Sequence, residues 1–143
     1  METITPYRRK THYYETDQME IIHNSNYFKW FEEARTDFME QIGLPYHKLE
    51  EMGIFAAVIS SYCEYKVPIT YGEEVVITKR ITEFNGYKMT VEYEVLNAAD
   101  NRLCAIGTTR HCLMSRERKP IRLQKEFPEV YNSLLSWLRP KSD

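Results

Sequence analysis

The chain has 143 residues, 19 of them Lys or Arg against 21 Asp or Glu, for a formal net charge of −2. One domain is the default at this length, and it can bury a core without disulfides or a structural metal. The balanced charge leaves no dominant basic stripe and so argues against a nucleic-acid partner, and no segment is long and apolar enough for a membrane span.

The N-terminal stretch METITPYRRKTHYY has no apolar run behind its basic residues, so no export signal is expected. Tyr7 to Thr16 reads as a strand. Tyr27 to Ile42 reads as a helix, because Tyr27, Trp30, Phe31, Ala34, Phe38 and Ile42 recur at three- and four-residue steps. Asn24, Ser25 or Asn26 can cap its start, and Gly43 with Pro45 can end it. Leu44 to Met52 adds a short helical turn closed by Gly53. Ile54 to Lys66 is a long mixed run, broken by Pro68 and Gly72. Glu74 to Phe84 is a strand, and Asn85-Gly86 suits a hairpin turn. Tyr87 to Asn97 alternates, with Met89, Val91, Tyr93 and Val95 on one face. Asp100-Asn101 makes the next turn, Arg102 to Arg116 a last strand, and Phe127 to Leu138 a closing helix. A strand, a long helix, a run of antiparallel strands and a small helix make an α+β domain covering residues 1–143.

The stretch YETDQMEIIHNSNYFKWFEEAR, Tyr14 to Arg35, carries the functional signal. It sets one carboxylate, Asp17, in the loop that feeds a helix N-terminus. Unpaired backbone N–H groups and a positive dipole end suit a developing oxyanion there. Cys63, Cys104 and Cys112 fit neither a CxxC pair nor a zinc spacing, and read as reduced, small core residues of a cytoplasmic protein. No G-x-S-x-G nucleophile elbow is present. The eleven tyrosines point to a broad interface or a half-wet pocket.

The element order and the Glu15-Thr16-Asp17, His23-Asn24-Ser25-Asn26-Tyr27 and Glu33-Ala34-Arg35 motifs together resemble the hotdog-fold acyl-CoA thioesterases of the 4-hydroxybenzoyl-CoA thioesterase and YbgC-like group. Pro68, Tyr71, Gly72 and Glu73 resemble that family's turn before its third strand. The resemblance implies a long central helix wrapped by an antiparallel sheet of about five strands. It implies a hydrolase of acyl-CoA thioesters without metal or other cofactor, working at the interface of a homodimer that often pairs into a homotetramer. Asp17 matches the catalytic carboxylate, as nucleophile or general base. His23, Asn24 and Tyr27 would support or shape the site. Arg110, Arg116, Arg118 and Lys119 are the candidates for the CoA phosphates.

One departure stands out: Glu20 occupies the position where the family usually has Gly. Gly permits positive φ and close approach of a ligand. A Glu pointing into the site would raise the Asp17 pKa and repel an anionic intermediate, whereas one pointing to solvent would change little. Two rival functions therefore stand beside acyl-CoA hydrolysis: a thioesterase acting on acyl carrier protein, and a hotdog protein that binds an acyl thioester without turnover.

Overall fold

The computed structural model describes residues 3–141. Its elements are β1 (Tyr7–Lys10), a 3-10 turn (Tyr13–Glu15), α1 (Ser25–Gln41), α2 (Tyr46–Glu51), β2 (Phe55–Tyr65), β3 (Glu74–Phe84), β4 (Lys88–Asn97), β5 (Leu103–Met114), α3 (Leu123–Glu126) and α4 (Pro128–Ser136). The five strands form one sheet in the order β1-β3-β4-β5-β2, every neighbour antiparallel. This is the expected α+β, hotdog arrangement of one long helix against a five-stranded antiparallel sheet.

Helix α1 lies on one face of the sheet through the stripe the sequence marks: Tyr27, Trp30, Phe31, Ala34 and Phe38 are buried, Ile42 is half-buried, and Met39 is buried with them. Phe31 stacks on Tyr93 of β4 with ring centroids 4.5 Å apart. It also lies on Gly107 of β5, where a Cβ would stand only 2.3 Å from the ring. Packing of this kind makes truncation of Phe31 to Ala cost about 3–5 kcal/mol. Alternation along β4 and β5 sends Tyr93, Thr109 and His111 toward the helix, and Thr90, Thr108 and Arg110 to the opposite face.

β3 has the expected bounds, and the other elements shift by a few residues. β1 ends at Lys10 instead of continuing to Thr16, because Glu15 folds the chain into a 3-10 turn: its carboxylate accepts the His12 N–H at 2.8 Å, and its own N–H donates to His12 O at 2.9 Å. β5 stops at Met114, two residues short of Arg116, where Ser115 to Lys119 close a turn with Arg118 at φ 65°. The closing helix is α4, started by Pro128, whose fixed φ suits a first helical position, and ended two residues before Leu138; the short turn α3 precedes it. β2 lies at the sheet edge and leaves Val58, Ile59, Tyr62 and Tyr65 44–56% exposed.

Candidate active site

The loop between β1 and α1 is held from below by Glu15, which is only 2% exposed. Its Oε1 accepts from Arg9 of β1 at 2.7 Å and its Oε2 from the Trp30 indole of α1 at 2.9 Å. Arg9 also reaches Glu33 of α1 at 2.6 Å. The Glu15 carbonyl accepts the Asn26 side-chain amide at 2.9 Å and the His23 N–H at 2.8 Å. One residue thus ties strand, loop and helix together. Burial works to raise its pKa, but the hydrogen bonds from Arg9, Trp30 and the His12 N–H outweigh it and hold the carboxyl below its ordinary value.

Two residues later the chain turns outward. The Asp17 N–H donates to Ile21 O at 2.8 Å and its carbonyl accepts from the Glu20 N–H at 3.0 Å, closing a tight turn. The Met19 N–H holds Asp17 Oδ1 at 2.7 Å. Oδ2 has no hydrogen-bond partner among the described residues. The half-buried Asp17 carboxylate lies at a cavity of about 420 Å³ lined by Asp17, Ile21, Ile22, Asn24, Tyr27, Tyr65, Lys66, Val67 and Pro68.

Helix α1 begins beside this cavity. Ser25 N–H is taken by His23 Nδ1, Asn26 N–H by His23 O and Tyr27 N–H by Asn24 O. The Asn24 N–H donates to nothing among the described residues, and the Asn24 side chain makes no cap bond. An orphan donor at a helix start is where a developing negative charge is best received. The Tyr27 and Tyr65 rings meet edge to face at 4.9 Å, and the Tyr65 hydroxyl donates to Asn24 O at 3.2 Å. Burial pushes both phenols up, so they remain protonated at neutral pH.

The sequence candidates divide accordingly. Asp17, Asn24 and Tyr27 line one cavity. His23 is exposed beside it, its Nδ1 bound to Ser25 Oγ at 2.8 Å, and it serves the helix start without lining the cavity. Glu20 is exposed, absent from the cavity wall, and at φ 65°. The turn therefore keeps the left-handed backbone that Gly would adopt without strain, with the Glu20 side chain exposed to solvent. Arg110 projects among Ser60, Thr90 and Thr108 on the face away from α1. Arg116 lies over the Phe55 ring at 5.1 Å, at the end of β2 opposite Tyr65, with exposed Arg118 and Lys119 in the turn that follows. Ten steps of strand separate these ends, about 33 Å. Among the described residues no group of three His, Cys, Asp or Glu could hold a metal ion.

Sequence reasoning missed three participants. Glu15 was visible as the first acid of the motif, but its role depends on Arg9 and Trp30, which only the fold brings to it. Tyr65 and Lys66 had no local signal. They end β2, and the antiparallel pairing with β5 delivers them to the cavity. The whole arrangement offers a carboxylate oxygen, an unpaired N–H and two phenols around an apolar wall, with one ammonium at the rim. That set suits transfer of an acyl group.

A family model described as the thioesterase-like superfamily matches residues 11–138. A protein of Aquifex aeolicus, provisionally named an esterase, is 36% identical over 124 residues, covering 87% of this chain and 94% of its own. A Bacillus subtilis protein, provisionally named acyl-CoA thioesterase YneP, is 35% identical over 122 residues, covering 85% of this chain and 88% of its own. The solved structure of a DHNA-CoA thioesterase from Staphylococcus aureus superposes with a TM-score of 0.87 at 29% identity, over 92% of this chain and 89% of that one.

Proposed function

The chain belongs to the thioesterase-like superfamily, and we propose that its Asp17 cavity is where it hydrolyses acyl-CoA thioesters, with Asp17 as nucleophile or general base. The observation that carries this reading is that one cavity is lined by Asp17, whose Oδ2 has no partner among the described residues, and by Asn24, whose N–H has no acceptor among them. With the thioester carbonyl carbon at Oδ2 and its oxygen at the Asn24 N–H, attack drives electrons onto an oxygen that the helix end stabilises. Collapse releases CoA as thiolate and leaves an acyl-aspartyl anhydride, which water hydrolyses to the free acid while regenerating the carboxylate. In the general-base version Asp17 takes the proton of a water that attacks the same carbon, and the proton passes to the leaving thiolate. Both versions need one ionised carboxylate and one oxyanion donor.

Glu20 bears on the rival reading of binding without turnover. Its side chain is exposed and does not line the cavity, which supports turnover over binding alone. The free edge of β2 supports a homodimer. Two-fold, antiparallel pairing of two such edges would set the Phe55 end of one strand beside the Tyr65 end of the other. The partner's Arg116, Arg118 and Lys119 would then reach the mouth of this chain's cavity, where the CoA phosphates need cations. Val58, Ile59, Tyr62 and Tyr65 would lose their exposure in the same step. Three free cysteines agree with a cytoplasmic setting.

The test is thiol release from short, medium, long and aromatic acyl-CoAs, with wild type and Asp17→Asn run in parallel. Hydrolysis that disappears in the variant supports the reading. Equal rates in the two proteins would sink the Asp17 mechanism. Activity confined to acyl carrier protein substrates would move the partner from CoA to that protein while keeping the chemistry.

A further inference from the structure

Among the described residues only three basic side chains are withdrawn from full solvent exposure: Arg9, Arg35 and Lys79. Arg9 is held by Glu15 and Glu33, and Lys79 by Asp37 at 2.7 Å. Arg35 has no carboxylate partner among the described residues. Glu32, one turn earlier on α1, is exposed and makes no ion pair with it. A withdrawn cation with no counter-ion is costly unless something else supplies one.

The groups that hydrogen-bond or adjoin the Arg35 guanidinium are the neutral hydroxyls of Tyr93 and Tyr46. Its guanidinium donates to the Tyr93 hydroxyl at 3.1 Å and stands beside the Tyr46 hydroxyl. Guanidinium is donor only, so the Tyr93 oxygen accepts, and its proton is free for Thr109 Oγ1 at 2.7 Å. Thr109 in turn meets His111 Nε2 at 2.8 Å. His111 is 2% exposed, and burial, aided by the Arg35 charge, pushes its pKa down to about 4, so it adds no charge at neutral pH. One hydrogen-bonded chain thus fixes the guanidinium and leaves most of its five N–H donors without acceptors.

Its position relative to the candidate active site is set by helix geometry. Tyr27, Phe31 and Arg35 follow one another at four-residue steps on α1. Tyr27 lines the Asp17 cavity, and Arg35 lies eight residues further on, about 12 Å along the helix. Phe28, 36% exposed, gives apolar surface between them.

We infer that Arg35, held by Tyr93, is a second anchoring point that takes the anionic end of the acyl group, so that the preferred substrates are thioesters of medium-length acids carrying a terminal carboxylate. The inference rests on the thioesterase reading of Asp17 and names the class of acyl group. A carboxylate bridging two guanidinium N–H groups supplies the missing counter-ion. The exposed surface of Phe28, between Tyr27 and Arg35 along the helix, takes the methylenes.

The test is calorimetric binding of two non-hydrolysable CoA thioethers of equal chain length, one S-alkyl and one S-(ω-carboxyalkyl), to wild type, Arg35→Met and Arg35→Lys. Wild type is expected to bind the carboxylate form about tenfold or more tightly than the alkyl form. Arg35→Met is expected to erase that preference while leaving alkyl binding within about twofold, and Arg35→Lys to restore part of it. Equal affinity of wild type for the two ligands overturns the proposal while leaving the CoA reading intact. Absence of binding by either ligand overturns both. A change of oligomeric state in Arg35→Met, seen by sedimentation, with no change in ligand preference, assigns Arg35 to a carboxylate of a second copy and also overturns it.

Discussion

Glu15 and Asp17 are two residues apart in one motif and live in opposite environments. Every oxygen of Glu15 is engaged, by Arg9, Trp30 and the His12 N–H, and the side chain is closed off from solvent. Asp17, which lines a cavity, has one oxygen bound by the Met19 N–H and the other without a partner among the described residues. The contrast separates two uses of the same functional group. A carboxylate whose lone pairs are all spoken for organises structure. A carboxylate left one bond short, beside a donor that is also one bond short, is available for chemistry.

Substitutions can break this comparison at either side. The largest effect is expected from Asp17→Asn, near-isosteric but unable to act as base or anionic nucleophile. Turnover should fall about 10³-fold, with a melting temperature close to wild type. A loss of stability matching that of a Glu15 variant would erase the distinction between the two acids. Next is Asn24→Pro, which deletes the orphan N–H at a residue whose φ of −56° already suits proline. A loss of about 10²-fold in turnover is expected, with Asn24→Ala, which keeps the N–H, losing far less. Equal losses in the two variants would move the oxyanion donor elsewhere.

Glu15→Gln should act on the other side of the comparison. Leaving Arg9 short of a buried partner is expected to cost about 3 kcal/mol in denaturant unfolding, and turnover should fall only as the loop loosens. The pH dependence sharpens this. The folded pKa of Glu15 lies below its ordinary value, so its contribution is fully present above about pH 4.5 and is lost as pH falls through the folded pKa. The acid limb of the stability curve below pH 4.5 should therefore be shallower in Glu15→Gln than in wild type. The smallest effect belongs to Glu20→Gly. It relieves a positive φ and should add about 1 kcal/mol of stability while leaving turnover within about twofold. A clear rise in turnover would show that the Glu20 charge reaches Asp17 after all.

What was legible in the sequence follows the range of the interactions involved. β3 and the buried stripe of α1 came out because their periodicity is local: each residue's neighbours are two, three or four positions away. Asp17, Asn24 and Tyr27 share a cavity because they lie within eleven residues of chain, a single loop and helix start. The turn at Tyr13–Glu15 reads as strand in the sequence because the Glu15 carboxylate that closes it on the His12 N–H is held in place by Arg9 and Trp30, neither of which marks a turn. Tyr65 and Lys66 were missed for the same reason. Arg110 and Arg116 lie close in sequence, but strand alternation sends Arg110 to the face away from α1, and the pairing of β5 with β2 sets Arg116 at the Phe55 end, far from the Tyr65 end and the cavity.

The contact between Phe31 and Gly107 couples two positions that lie 76 residues apart in the chain. Any side chain at 107 needs the space the phenyl ring fills, and a small residue at 31 leaves a hole that glycine cannot close. Single changes at either position are then penalised, while a paired change that trades volume between them can be neutral. A library randomising both together should yield folded combinations that neither single-site library contains, with bulk at one position excluding bulk at the other.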